Sequence, residues 1–232
     1  MFVTQTNATT TSTLVDADRR PIAVRRFPVF NWMAGRLARA GISANAISVS
    51  STIFAIAAGI SLAMTAHVND PWWRLLFLTS AGLIQLRLLA NLLDGMVAIE
   101  HGGASPVGML YNEVPDRISD AAILIGAGYA IGGDPILGYL AACAALFTAY
   151  VRAMGKVAGA NQEFCGPMAK QQRMATVTLV AIYLGLTPTS LQPTWHARGL
   201  MSLGLAIVFI GSVITSIRRL LRVSRTLDHS SS

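Results

Sequence analysis

What most restricts the fold of this chain is a succession of apolar runs, each about the length of a membrane crossing. A helix rises ~1.5 Å per residue, so a hydrocarbon layer takes about 20 residues to cross. Largely uncharged runs of that length fall at 46–66, 73–99, 108–131, 135–155, 172–189 and 198–218, with turn-competent breaks between them. The third reaches span length only if its polar start, Gly108 to Asp120, continues as one helix into the apolar stretch that follows. Hydrophobic residues make up 53% of the 232 and charged residues 12%, with a mean hydropathy of +0.53, which excludes an ordinary soluble domain. The expected class is an all-α polytopic membrane protein with six transmembrane helices.

Three stretches follow from the same reading. Residues 1–24 are polar, begin Thr-rich and have no apolar core of a secretory signal, so a disordered cytoplasmic tail is expected there. A membrane domain is expected over 25–222 and a second cytoplasmic tail over 223–232. From Arg25 to Ala40, Phe27, Phe30, Trp32, Met33 and Leu37 mix with Arg25, Arg26, Arg36 and Arg39. That pattern fits an N-terminal interfacial amphipathic helix, and it fits a basic flank that sets topology nearly as well. Gly41 is placed to end this helix, and Ser43 or Asn45 to cap the next.

The formal net charge of +7 raises nucleic acid as a partner. The basic residues sit at the ends of apolar runs rather than on one surface, so no nucleic acid is expected and topology is the better reading. Of the 18 Lys and Arg, Arg74 and Arg198 fall on one side, Arg87 and Arg117 lie inside runs, and all the rest fall on the other side. This bias puts both termini and the loops at 99–107 and 156–171 in the cytoplasm, with the chain in the inner membrane. Trp72, Trp73 and Trp195 then fall at periplasmic ends, where aromatic belts form. Cys143 and Cys165 show neither metal-ligand spacing nor a disulfide framework. Ala55 and Gly59, four apart in the first run, carry no specific signal in a chain with 20 glycines.

Ionisable groups inside a membrane are costly, by about 2.5–3.5 kcal/mol each on insertion scales, so the polar stretch from Asn91 to Asp120 marks a site. Arg87, Asn91, Asp94 and Ala98 recur at steps of four, three and four, which puts them on one helical face. Asn112, Asp116 and Asp120 do the same on the next helix, and the two are joined by a short loop. Gly95 and Gly108 leave room for a ligand to approach the backbone. Carboxylates and amides converging from two helices suit a hard divalent cation bound together with substrate phosphates. Arg87, Arg117, Arg152, Lys156, Lys170 and Arg173 are available to meet phosphate charge, although Lys170 and Arg173 are equally accounted for as a positive-inside flank. Arg87 is as well explained by a structural salt bridge to Asp94. On the residues alone, a buried structural network and a catalytic centre stand as equal readings of the cluster.

Asp94, Gly95, Ala98, Gly108 and Asp116, at these spacings, resemble the signature of the CDP-alcohol phosphatidyltransferase family. That signature runs Asp, two residues, Asp-Gly, two residues, Ala-Arg, about eight residues, Gly, three residues, Asp, three residues, Asp. The stretch GISANAIS before the first run is similar to the family's Pro-Asn-x-Ile-Thr entry, and the resemblance extends over about residues 28–220. It departs at three positions: Asn91 and Asn112 stand for the first and third aspartates, and Ile99 for arginine. The resemblance implies transfer of a phosphatidyl group from CDP-diacylglycerol to an alcohol acceptor, with release of CMP. It implies a divalent metal, Mg²⁺ or Mn²⁺, ligated by Asn91, Asp94, Asn112 and Asp116, with Asp116 as general base. Gly95, Ala98, Gly108, Arg87, Arg117, Lys170 and Arg173 would bind the donor or acceptor. Glu113 stands as a replacement for a missing carboxylate charge. The two asparagines can ligate only through neutral oxygens, so metal binding weaker than in four-aspartate relatives is expected. Membrane lipids and a second copy of the chain, as a homodimer, complete the expected partners. The same asparagines motivate a second class, a non-catalytic relative that binds nucleotide-lipid or a partner subunit, and intramembrane acids motivate a third, an ion-coupled carrier.

Overall fold

The computed structural model describes residues 28–100, 106–160, 165–196 and 198–230. The expected tail at 1–24 and most of the 99–107 loop lie outside them. The described chain is almost wholly helical. In order the helices are α1 (Pro28–Arg39), α2 (Ala44–Met64), α3 (Trp72–Glu100), α4 (Pro106–Gly128), α5 (Pro135–Val157), α6 (Lys170–Leu186) and α7 (Leu200–Ser230). A two-residue antiparallel ladder pairs Thr194 with Gly199 and Trp195 with Arg198, just before α7.

Local chemistry sets the ends of these helices. Gly41, at φ +74°, stops α1 in the left-handed conformation that favours glycine, as expected. Ser43 then caps α2 by accepting the Ala46 N–H at 3.2 Å. Asp134 caps α5 through the Leu137 N–H at 3.1 Å, with Pro135 in the first turn where its missing N–H costs nothing. Pro188 follows the end of α6 and cannot continue it. Helix α7 outruns the expected span end at 218 and the expected tail from 223. Hydropathy marks where an apolar run stops, whereas no Gly or Pro between 219 and 230 interrupts the backbone ladder.

Helices α2 to α7 close into a ring: α2 packs on α3 and α4, α4 on α5, α5 on α7, α7 on α6, and α6 back on α3. Helix α1 lies against α3. Phe77, Leu62, Ile84, Ile123, Leu124, Met201 and Leu205 are fully buried inside the ring. The approach of α2 and α4 is close enough that Gly59 and Gly126 are steric requirements. A Cβ on Gly59 would lie 2.3 Å from the Ala122 carbonyl oxygen, and one on Gly126 would lie 2.2 Å from the Gly59 oxygen. Gly59, uninformative as part of a spacing pattern, is thus required by packing.

Large apolar side chains face outward along the ring, as on Ile53, Ile60, Ile136 and Leu179. Four helical stretches are long and apolar enough to cross a membrane: Ala44–His67, Trp72–Ile99, Pro135–Val157 and Leu200–Asp228. Helices α4 and α6 coincide with the other two expected runs but differ in kind. The first half of α4 carries Glu113, Asp116, Arg117 and Asp120, and α6 has 17 residues.

Candidate active site

Chain direction alternates around the ring, so the C-terminal parts of α3, α5 and α7 meet the N-terminal parts of α4 and α6 at one end. There they enclose a cavity of about 510 Å³. Its wall includes Asn91, Asp94 and Gly95 from α3, Glu113, Asp116 and Arg117 from α4, and Thr148 and Arg152 from α5. Lys170 and Arg173 from α6, Arg219 from α7 and Phe30 from α1 complete it. The four-and-three spacing on α3 therefore does turn one face inward. Ala98 is half-buried and outside this wall. Gly108 and Asn112 fall on α4, but their surroundings lie outside the described residues.

A buried ionic network backs the cavity. Arg87, with no solvent exposure, donates through Nη2 to Asp120 Oδ1 at 2.8 Å and to Asp116 Oδ1 at 3.1 Å. Asp120 Oδ2 accepts from Arg173 Nη2 at 2.7 Å, and Arg173 Nη1 donates to the Met168 carbonyl at 3.1 Å. Charges this deep hold together only when paired, because desolvation costs several kcal/mol per ion. Arg87 thus bridges α3 to α4 rather than pairing with Asp94. Seven residues along a helix separate Arg87 and Asp94 by ~10 Å, beyond direct contact, whereas α4 lies alongside.

Closer to the opening, Asn91 Nδ2 donates to Asp116 Oδ1 at 3.1 Å. The Lys170 ammonium reaches across from α6 and donates to both Asn91 Oδ1 and Asp116 Oδ2. Pro115 lacks the N–H that would bond the carbonyl of residue 111, so the α4 ladder is interrupted one residue before Asp116. Asp94 stands apart: Ser48 Oγ donates to its Oδ2 at 2.7 Å, while its Oδ1 is buried with no hydrogen-bond partner. At the rim, Glu113 pairs with Arg152 at 2.7 Å and with Arg117. Arg219 fastens the wall, donating to the carbonyls of Thr148 and Cys165 at 3.0 Å each.

These donors suit a divalent cation unequally. Among the described residues no group of three or more His, Cys, Asp or Glu is placed to hold one. Asp94 Oδ1 fits the task, since Mg²⁺ is commonly held by one or two carboxylates completed by substrate phosphates. Both Asp116 oxygens and the Asn91 oxygen already accept from cationic or amide donors. Ser48, Asp120, Arg152 and Arg219 complete the site, and of these the sequence marked only Arg152, as a cation available to phosphate, and Asp120, by its helical face.

The geometry defines an all-α membrane-type bundle with a charged cavity at one end, and that fold has known relatives. No family model matches the chain. Over 208 residues, 86% of this chain and 94% of the relative, it is 28% identical to the phosphatidylinositol phosphate synthase of Cutibacterium acnes. It is 24% identical over 187 residues to the enzyme of the same name from Mycolicibacterium smegmatis, covering 78% of this chain and 77% of that one. Among solved structures, the Mycobacterium tuberculosis phosphatidylinositol phosphate synthase with CDP-DAG bound shares the fold at a TM-score of 0.68 and 22% identity, covering 85% of this chain and 94% of that one. The same protein with manganese and citrate gives 0.67 at 22% identity, covering 84% and 88%. In sequence and in fold the chain is thus similar to phosphatidylinositol phosphate synthases.

Proposed function

We propose that this chain transfers the phosphatidyl group of CDP-diacylglycerol to an alcohol acceptor and releases CMP, as a branch of the family with asparagine at the first and third motif positions. The observation that carries the reading is the single cavity in which Asp94 and Asp116, from neighbouring helices, face a set of cationic side chains. The acceptor hydroxyl oxygen attacks the lipid-side phosphorus. A new P–O bond forms as the bond to the CMP oxygen breaks, and CMP leaves with that electron pair. The hydroxyl proton passes to the Asp116 carboxylate, which Arg87 and Lys170 hold in place by ion pairs. Asp94 would hold a divalent cation, Mg²⁺ or Mn²⁺, whose chemistry is to offset the charge developing on the leaving phosphate. Arg117 and Arg152 at the rim suit a phosphorylated polyol as acceptor, in keeping with relatives named phosphatidylinositol phosphate synthase.

The membrane arrangement that goes with this has six spans, α2 to α7, with α1 in the interface and the cavity facing the cytoplasm of the inner membrane. Arg36, Arg39, Lys156, Arg218, Arg222 and Arg225 gather at the cavity end, and Arg74 and Arg198 lie at the other. A reporter fused at the C-terminus should be active only in its cytoplasmic form. Activity of a periplasm-only reporter there would reverse the orientation.

Mass spectrometry of lipids formed from CDP-diacylglycerol and a panel of polyols and polyol phosphates tests the activity. A new phospholipid with matching CMP release is expected. One observation favours a second reading, a CDP-lipid binder without turnover: the Asp116 oxygens are all engaged by donors. Nucleotide binding with no CMP exchange into CDP-diacylglycerol would decide for it.

A further inference from the structure

We propose that Lys170 is a tethered cation that takes the Asn91–Asp116 side of this cavity, so that the site carries there, as a side chain, positive charge that a second divalent ion would otherwise bring. Lys170 opens α6, lines the cavity and is 20% exposed through its side chain. Its ammonium bonds the side chains of two motif positions, the first and the last, which lie on different helices.

The charges match this role. Asn91 and Asp116 together carry one negative charge, which one ammonium neutralises, leaving nothing to offset a dication in a medium that screens poorly. Across the wider network, Arg87, Lys170 and Arg173 pair with Asp116 and Asp120, three cations against two carboxylates, which further disfavours a dication on this side. Glu113, outside that group, is already shared by Arg117 and Arg152. The Asn91 amide oxygen accepts from the Lys170 ammonium without adding the negative charge that would draw a dication, so Asn91 and Lys170 form a matched pair. Asp94 alone, among the described carboxylates of the cavity, keeps a buried oxygen with no hydrogen-bond partner. The metal capacity of the site therefore concentrates at the Asp94 end.

The ammonium has three N–H donors and spends two on Asn91 and Asp116. The third is available to a phosphate oxygen of a nucleoside diphosphate in the cavity. This contact rests on the transferase reading, whereas the metal count does not.

Full-length protein in detergent, titrated with Mn²⁺ alone and followed by the spin-resonance signal of free hydrated Mn²⁺, measures the count directly. Wild type should bind no more than one ion per chain. The double variant Asn91→Asp, Lys170→Met should bind a second, or bind Mn²⁺ at least ~10-fold more tightly. Equal binding by the two proteins, or two ions in wild type, overturns the assignment. A second arm reads CDP binding by calorimetry in EDTA. Wild type should bind, Lys170→Arg should retain most of the affinity, and Lys170→Met and Lys170→Gln should lose about 10- to 100-fold, the scale of one charge-assisted hydrogen bond. Unchanged affinity in the folded Met or Gln variant removes the phosphate contact. If wild type binds no CDP with or without Mn²⁺, the transferase reading fails, while the Mn²⁺ count still decides the place of Lys170.

Discussion

At the end of the ring away from the cavity, polar side chains finish helices and turns through single ion pairs or backbone contacts. Asp134 caps its own helix and pairs with Arg198 at 2.6 Å, and Arg74 meets Asp70 four residues earlier at 2.9 Å. The Gly132 carbonyl accepts from Gly199 and Ser202. At the cavity end the partners come from different helices, and several atoms stay unpartnered although buried: Arg87 Nε and Nη1, Arg173 Nε and Asp94 Oδ1. Groups that finish a helix or a turn satisfy themselves cheaply. Groups gathered from four helices are held by one another and keep bonding capacity in reserve, which is what a phosphate-binding site in a low-dielectric wall requires. The difference teaches that one end of this bundle is built for closure and the other for a ligand.

Substitutions at the two ends should separate accordingly. Asp116→Asn keeps the shape and an acceptor oxygen but cannot take a proton, so turnover should fall by about 10²–10⁴ with CDP affinity nearly intact. CMP release beside CDP binding in one detergent checks it, and normal turnover would move the general base elsewhere. Asp120→Ala leaves Arg87 and Arg173 facing each other without their shared carboxylate. Removing one member of a buried ionic set costs about 3–5 kcal/mol, which should show as a large fall in unfolding midpoint; a variant as stable as wild type would mean the network does not hold the fold.

Between the two ends, Gly59→Ala drives a methyl into the backbone of α4 and should cost about 1–3 kcal/mol in stability. Crosslinking between cysteines placed on α2 and α4 should weaken along with it, and an unchanged crosslink would show that the helices can separate freely. The smallest effect belongs to Asp134→Ala, which loses a cap worth about 0.5–2 kcal/mol but should leave turnover as it was. A comparable loss of turnover at Asp134 would break the division between the ends.

Much of this molecule was legible as local pattern. Span-length apolar runs, the Gly41 stop and the Ser43 cap depend on residues a turn or less apart, so six helices in the right places follow from the chain alone. The inward face of α3 at Arg87, Asn91 and Asp94 is equally local, because a helix repeats every 3.6 residues wherever it packs. What those side chains hold is a different matter. Arg87 had Asp94 on its own face but pairs with Asp116 and Asp120 across the helix boundary, since seven residues of rise exceed its reach. Lys170, 54 residues from Asp116, was as well explained as a positive-inside flank as by contact with phosphate until α6 was placed against α3. Charge sign and helical phase are properties of sequence. Which cation meets which carboxylate is decided by distances between helices, and those exist only once the ring has closed.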